Sequence, residues 1–194
     1  MNISKKIIVI GGYCATGKTG FAARLSRELG VPYFAKDYVK NALNRSFPVR
    51  NRADSKQLSA IAFDAIAFNV ERLMEVGLPV IVEANFVMRE NHGGVKEGDV
   101  LRGLVARYGY QSLTYIFAGD LPTLYARFVA RDVLPERGVA NQMWGEYTYE
   151  DYLDGNLHLV EFDIGGEIVK IDATDFSAVD FCKYIEVAQT FLEG

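Results

Sequence analysis

Residues 11–20 read "GGYCATGKTG", which puts Gly12, Gly17, Lys18 and Thr19 in the pattern G-x-x-x-x-G-K-T. These residue types at this spacing suit one kind of chemistry. Glycines let a chain curl so that successive backbone N–H groups point into one concavity that side chains would otherwise obstruct. A helix starting near Lys18 adds the positive end of its dipole, typically about 0.3–1 kcal/mol toward an anion. In such a cradle Lys18 reaches the β- and γ-phosphates of a nucleoside triphosphate and the Thr19 hydroxyl ligates Mg²⁺. The candidate phosphate-binding residues are therefore Gly12, Tyr13, Cys14, Ala15, Thr16, Gly17, Lys18, Thr19 and Gly20. A plain glycine turn with an exposed lysine is the alternative. The flanks argue against it, because the motif needs a strand before it and a helix after it.

Both flanks are present. "KKIIVIGG" (5–12) is a continuous β-branched run closed by glycines, the pattern of a strand buried on both faces. "KTGFAARLSRELG" (18–30) places Phe21, Leu25 and Leu29 four apart and ends on Gly30, a helix with its stop. Farther along, "PYFA" (32–35), "PVIVEA" (79–84) and "SLTYIFA" (112–118) predict strands. "LHLVEF" (157–162) and "EIVKIDA" (167–173) predict two more, joined as a hairpin by the turn "DIGG". Helices are expected over "DYVKNAL" (37–43), over residues 55–77, over "DVLRGLVARYG" (99–109) with Asp99 as N-cap, over 121–132 capped by Asp120, and over 175–192. The stretch 44–55 reads as a loop, and residues 133–150 show no clear period.

Strands alternating with helices predict an α/β/α arrangement around a mainly parallel sheet. Ligands in such sheets bind beyond the carboxyl ends of the strands. Attention therefore falls on residues 11–19, 36–38, 83–89, 118–120 and 172–175.

Composition narrows the function classes. The 194 residues suit one domain, and 49% apolar with 24% charged residues is ordinary for a water-soluble globular chain. Apolar runs are strand-sized and the N-terminal one is too short for a signal peptide, so no membrane span and a cytoplasmic setting are expected. Two cysteines, Cys14 and Cys182, offer no disulfide framework. Residues 1–144 carry 19 Lys and Arg against 13 Asp and Glu, whereas residues 145–194 carry 2 against 12. The basic residues are scattered, which suits a pocket for a small anion better than a nucleic-acid track. The acidic C-terminal part reads as a solvated surface. Nothing in the sequence speaks to oligomeric state.

Guanine-nucleotide switches need an N-K-x-D element, which does not occur, and "DIGG" at 163–166 lies too late to serve as their D-x-x-G. The third strand ends "VIVEAN" with the single acid Glu83, unlike the paired acids of motor ATPases. The phosphate loop, a long helix, "GLPVIVEANF" (77–86) and the arginine-bearing "YARFVARDVLPERG" (125–138) together resemble the small P-loop kinases. These are the chloramphenicol phosphotransferase-like, zeta-toxin-like, gluconate-kinase-like and polynucleotide-kinase-like proteins. The resemblance runs to about residue 175 and is specific at the loop.

That resemblance implies a three-layer α/β/α P-loop fold with five parallel strands in the order 2-3-1-4-5, and an arginine-rich lid over about 127–146. It implies ATP and Mg²⁺, and a small-molecule substrate that accepts phosphate on a hydroxyl. Carried over by position, Asp37 becomes the acid that orients the hydroxyl and takes its proton, or else merely caps the helix behind it. Glu83 would bind Mg²⁺ through water or position the substrate, with a buried structural acid as the alternative. Asn85 would bond the acceptor or serve the turn. Arg127, Arg131 and Arg137 would stack on adenine or clamp the transferring phosphoryl group, or else form surface ion pairs with Asp120, Asp132 or Glu136. Lys18, Asp37 and Arg131 are the candidate catalytic residues, Thr19 and Glu83 the candidate metal-binding pair, and Asp37, Glu83 and Asn85 the candidate substrate contacts. Arg50, Arg52 and Arg89 could face an anionic acceptor but equally be solvated; Trp144 could line the lid or a core edge. His92 and His158 lack metal-ligand spacing. A 5′-hydroxyl nucleic-acid kinase and a non-catalytic nucleotide-binding module are the competing readings.

Overall fold

A computed structural model describes residues 5–86, 96–143 and 147–194. Five strands form one parallel sheet in the order β2-β3-β1-β4-β5: β1 (Lys6–Gly12), β2 (Tyr33–Ala35), β3 (Val80–Glu83), β4 (Gln111–Ala118) and β5 (Glu167–Asp172). The helices between them are α1 (Lys18–Leu29), α2 (Lys36–Leu43), α3 (Arg52–Glu75), α4 (Glu97–Tyr108), α5 (Leu121–Asp132), α6 (Tyr149–Asn156) and α7 (Phe181–Glu193). This is the α/β/α arrangement and strand order expected from the sequence.

The alternation of β1 builds the two halves of the core. Ile7 and Val9 face Phe63, Ile66, Val70 and Met74 of α3 and Leu101 and Leu104 of α4. Ile8 and Ile10 face Phe21, Ala22 and Leu25 of α1 and Ile185 and Ala188 of α7. All four β1 residues are fully buried, which is worth roughly 1.5–3 kcal/mol for each large side chain. That burial fixes the strand that launches the phosphate loop. Register then sets its neighbours: Ile10 aligns with Glu83, and Glu83 with Ala35, so the ends of β1, β3 and β2 lie side by side.

Several local expectations need correction. Residues 157–162 are no strand; a 3₁₀ turn covers Leu157–Val160. There is accordingly no hairpin at "DIGG", whose turn is closed by the Gly165 N–H donating to Asp163 Oδ1, and β5 runs parallel to β4. The α4 N-cap is Lys96, with Asp99 inside the first turn, and α3 begins at Arg52 under an Asn51 cap instead of at residue 55. Residues 149–156, which overlap the stretch of no clear period, form α6. Its first turn carries a capping box in which Thr148 and Asp151 each bond the other's backbone N–H.

Candidate active site

The phosphate loop leaves β1 through Gly12, whose φ is 111° and whose absent Cβ would lie 2.0 Å from the Phe117 carbonyl oxygen. Only glycine passes there. Ala15 follows with φ 63°, the one non-glycine residue at positive φ among the described residues. A left-handed alanine is unfavourable by about 1–2 kcal/mol and persists where its surroundings hold it, a pattern concentrated at functional sites. Gly17 is the left-handed N-cap of α1, and the Phe176 ring packs against its bare Cα.

Lys18 is buried and folded over its own loop. Its Nζ donates to Gly12 O at 3.0 Å and also to Tyr13 O, with Thr16 Oγ1 at 3.4 Å. Burial lowers its pKa, and the nearby Cys14, Glu83 and Asp37 partly restore it. An ammonium in that place is short of counter-charge, the condition in which an anion binds well. The Thr19 hydroxyl donates to Glu83 Oε2 at 3.1 Å, across the gap that the β1–β3 register predicts. Burial pushes the Glu83 carboxyl up to about 7, with Lys18 pulling the other way.

Asp37, Glu83, Asn85 and Arg131 line one cavity of about 140 Å³ together with Cys14–Gly20. Asn85 Nδ2 donates to Cys14 Sγ at 3.2 Å. The Arg131 Nε–H is buried with no hydrogen-bond partner among the described residues. Asp37 makes no capping bond; α2 starts one residue earlier, at Lys36. Its depth in the cleft raises the Asp37 carboxyl, but Arg137 at 2.8 Å, with Lys40 and Lys36 behind it, holds the net value below the usual carboxylate range.

The three arginines separate. Arg131 reaches the cavity, whereas Arg127, one turn earlier, donates through Nη1 to Ala173 O at 2.7 Å and through Nη2 to Thr174 O. Its guanidinium also lies over the Phe176 ring, 5.3 Å from the centroid. Arg127 is thus tied to the loop after β5 and is absent from the phosphate cavity's lining. Arg137 pairs with Asp37, with its Nε 3.8 Å from Asp132. Of the weaker candidates, Arg52 Nη1 donates to Met143 Sδ and Arg50 is exposed. Arg89, His92 and Trp144, with residues 144–146 of the expected lid, lie outside the described residues.

Sequence reasoning missed several residues around the site. Lys36 forms a buried ion pair with Glu97 at 2.6 Å, and buried Lys40 donates to Ser55 Oγ, which donates in turn to Ala140 O. Asn156 and Tyr152 of α6 both bond the backbone of Cys14. A capping-box pattern, T-x-x-D at 148–151, was the available signal for that helix.

The solved structures with similar backbones can now be compared. A "putative kinase" from Chloroflexus aurantiacus superposes with a TM-score of 0.77 at 20% identity, covering 100% of this chain and 98% of that one. The two chains share the fold of a five-stranded parallel sheet between layers of helices. A gluconokinase from Sinorhizobium meliloti matches at 0.54 and 20% identity, over 97% of this chain and 92% of the other. The APS kinase of Mycobacterium tuberculosis, solved with AMPPNP and APS, matches at 0.55 and 13% identity, over 98% and 99%. No protein-family model matches the chain, and no curated protein matches it in sequence. No helix among the described residues is long and apolar enough to cross a membrane.

Proposed function

We propose that the protein is an ATP-dependent kinase that moves the γ-phosphoryl group of ATP to a hydroxyl of a small molecule. One observation carries this reading. The phosphate loop shares a single 140 Å³ cavity with an aspartate, a buried glutamate and an arginine, the groups that phosphoryl transfer between oxygens needs. Kinase names on the structures of like fold, one of them holding an ATP analogue, agree with it.

Among the described residues no group of three or more His, Cys, Asp or Glu could hold a metal by itself. Mg²⁺ usually keeps waters and substrate phosphates and takes one or two protein carboxylates. The hard oxygens of Thr19 and Glu83 would hold it, and when bound it supplies positive charge to the β- and γ-phosphate oxygens. The remaining roles belong to the chain. Lys18 exchanges its loop carbonyls for phosphate oxygens, and the loop amides orient the triphosphate. Asp37 positions the acceptor hydroxyl and takes its proton while the new P–O bond forms. The bond to the β-phosphate oxygen breaks and ADP departs. Arg131, whose Nε–H is free of partners in the described residues, meets the charge on the moving group. Of the lid over about 127–146, residues 133–143 rest on α2 through Asn41 and Asn141, and closure of that lid keeps water out.

The test is a panel of hydroxyl compounds assayed for ADP release above the ATP-only background, with GTP competing in parallel. The reading fails if nothing in the panel, sugars, nucleosides and hydroxy acids included, raises turnover and purified protein binds no Mg-nucleotide.

A further inference from the structure

We propose that Asn156 and Tyr152 of α6 are positioning residues for nucleotide binding, acting through the two peptide planes that flank Cys14. The inference rests on the nucleotide-binding reading above and concerns groups 138 and 142 positions away from the loop residue they hold.

The Cys14 N–H donates to Asn156 Oδ1 at 2.7 Å, and the Cys14 carbonyl accepts from the Tyr152 hydroxyl at 3.0 Å. Asn156 spends its amide nitrogen on Tyr152 O at 2.7 Å, so the pair is braced within its own helix. Both side chains are buried, and the Tyr152 ring packs among Tyr125 and Phe128 of α5 at 5.5 and 5.4 Å.

A trans peptide is planar, with its N–H and C=O pointing in opposite directions. No described peptide bond is cis. When Asn156 holds the Cys14 N–H, the Tyr13 carbonyl in the same plane must face away from α6. That carbonyl accepts from Lys18 Nζ and from Thr16 Oγ1. When Tyr152 holds the Cys14 carbonyl, the Ala15 N–H in the next plane must likewise face away from α6, and Ala15 lines the phosphate cavity. Two side chains of one short helix thus aim the lysine's parking place and one amide of the cradle. They also keep Ala15 in its left-handed conformation, which an alanine would otherwise leave.

The experiment uses the full chain and calorimetric Kd values for Mg-ADP, with melting temperature measured on the same samples. Asn156→Ala leaves the Cys14 N–H buried without its acceptor, and Tyr152→Phe removes one oxygen while keeping the ring. Each should weaken Mg-ADP binding on the order of tenfold. Thr148→Ala is the structural control: it loosens the first turn of α6 and leaves both side chains in place, so it should lower the melting temperature with Kd within about twofold, in line with the loss of a helix cap. If Asn156→Ala fails to fold, Tyr152→Phe decides the question. Wild-type Kd values in the variants, with melting temperature changed or unchanged, overturn the inference alone. An absence of Mg-ADP binding by the wild-type protein overturns the nucleotide reading and this inference with it.

Discussion

Arg137 Nη1 lies 2.8 Å from Asp37 Oδ2, so the acid proposed to receive the acceptor's proton is paired with a cation from the segment across the cleft. The pairing lowers the Asp37 pKa against the upward push of its depth in the cleft. Replacing Arg137 by methionine removes the larger of the lowering influences, so the pKa rises. Asp37 is then protonated, and idle as a base, up to a higher pH. The acid limb of the kcat/KM profile should move to higher pH in Arg137→Met and move less in Arg137→Lys. An unmoved limb in both variants counts against Asp37 as the base.

Asp37 and Lys18 line the same cavity but are assigned different tasks. Asp37→Asn should lower the rate of transfer by about 10²–10⁴-fold, the usual worth of a positioned base. Its Kd for Mg-ATP should stay within a few-fold of wild type. Lys18→Ala should lose transfer and weaken Mg-ATP binding together. Intact activity in Asp37→Asn alongside a dead Lys18→Ala would instead identify a nucleotide-binding module without chemistry. Single-turnover assays beside calorimetry separate the two.

The legible parts of this chain are those whose signal is local. The phosphate loop announces itself because glycine, lysine and threonine spacing and both flanks lie within residues 5–30. Glu83 and Asp37 come together through register, Ile10 with Glu83 and Glu83 with Ala35, which parallel topology implies without naming the residues. The error at 157–162 has a physical source. Leu159 and Phe162 are buried and Leu157 is exposed, so an apolar pattern is present, but a 3₁₀ turn makes it. A strand at 157–162 leaves no room for a helix running into it, although Thr148 and Asp151 mark one. The grip of Asn156 on Cys14 spans 142 positions, and no periodicity reports a contact of that kind. Arg127 and Arg131 share a helical spacing, yet one meets the loop after β5 and the other the cavity. Spacing gives a common face; the neighbours decide what each residue touches.

Glu83 should link stability to pH and, in its proposed metal role, Mg²⁺ affinity as well. Its carboxyl is pushed up by burial to about 7 in the folded protein, from an ordinary value of 4.5 when unfolded. The folded state therefore disfavours the charged form. Its contribution is fully favourable below the unfolded value and is lost as pH rises through about 7. Glu83→Gln should be more stable than wild type at pH 8 by about 1–2 kcal/mol, roughly 2–8 °C in Tm, with the gap closing toward pH 5. In the proposed metal role, the ionised form is the one that would hold Mg²⁺. Wild-type affinity for Mg-ADP should rise from pH 6 to 8, and the variant's should be lower and flatter. A variant no more stable at pH 8 than at pH 5, relative to wild type, contradicts the burial argument.

Two glycines of the loop region separate geometry from composition. At Gly12, with φ 111°, a Cβ would sit 2.0 Å from the Phe117 carbonyl oxygen and 2.6 Å from its nitrogen, both backbone atoms in the middle of the sheet. Neither can yield without breaking the β1–β4 pairing that launches the loop. Gly12→Ala should lose more than about 3 kcal/mol of stability, in the range reserved for strain at a special backbone angle. Gly20 lies in the first turn of α1, and a Cβ there meets nothing within 4 Å. Alanine is the better helix former, so Gly20→Ala should be neutral or stabilising by up to about 1 kcal/mol. Chemical denaturation of both variants checks the pair, and equal losses at the two positions would refute the close approach of β1 to Phe117 as the reason for glycine at 12.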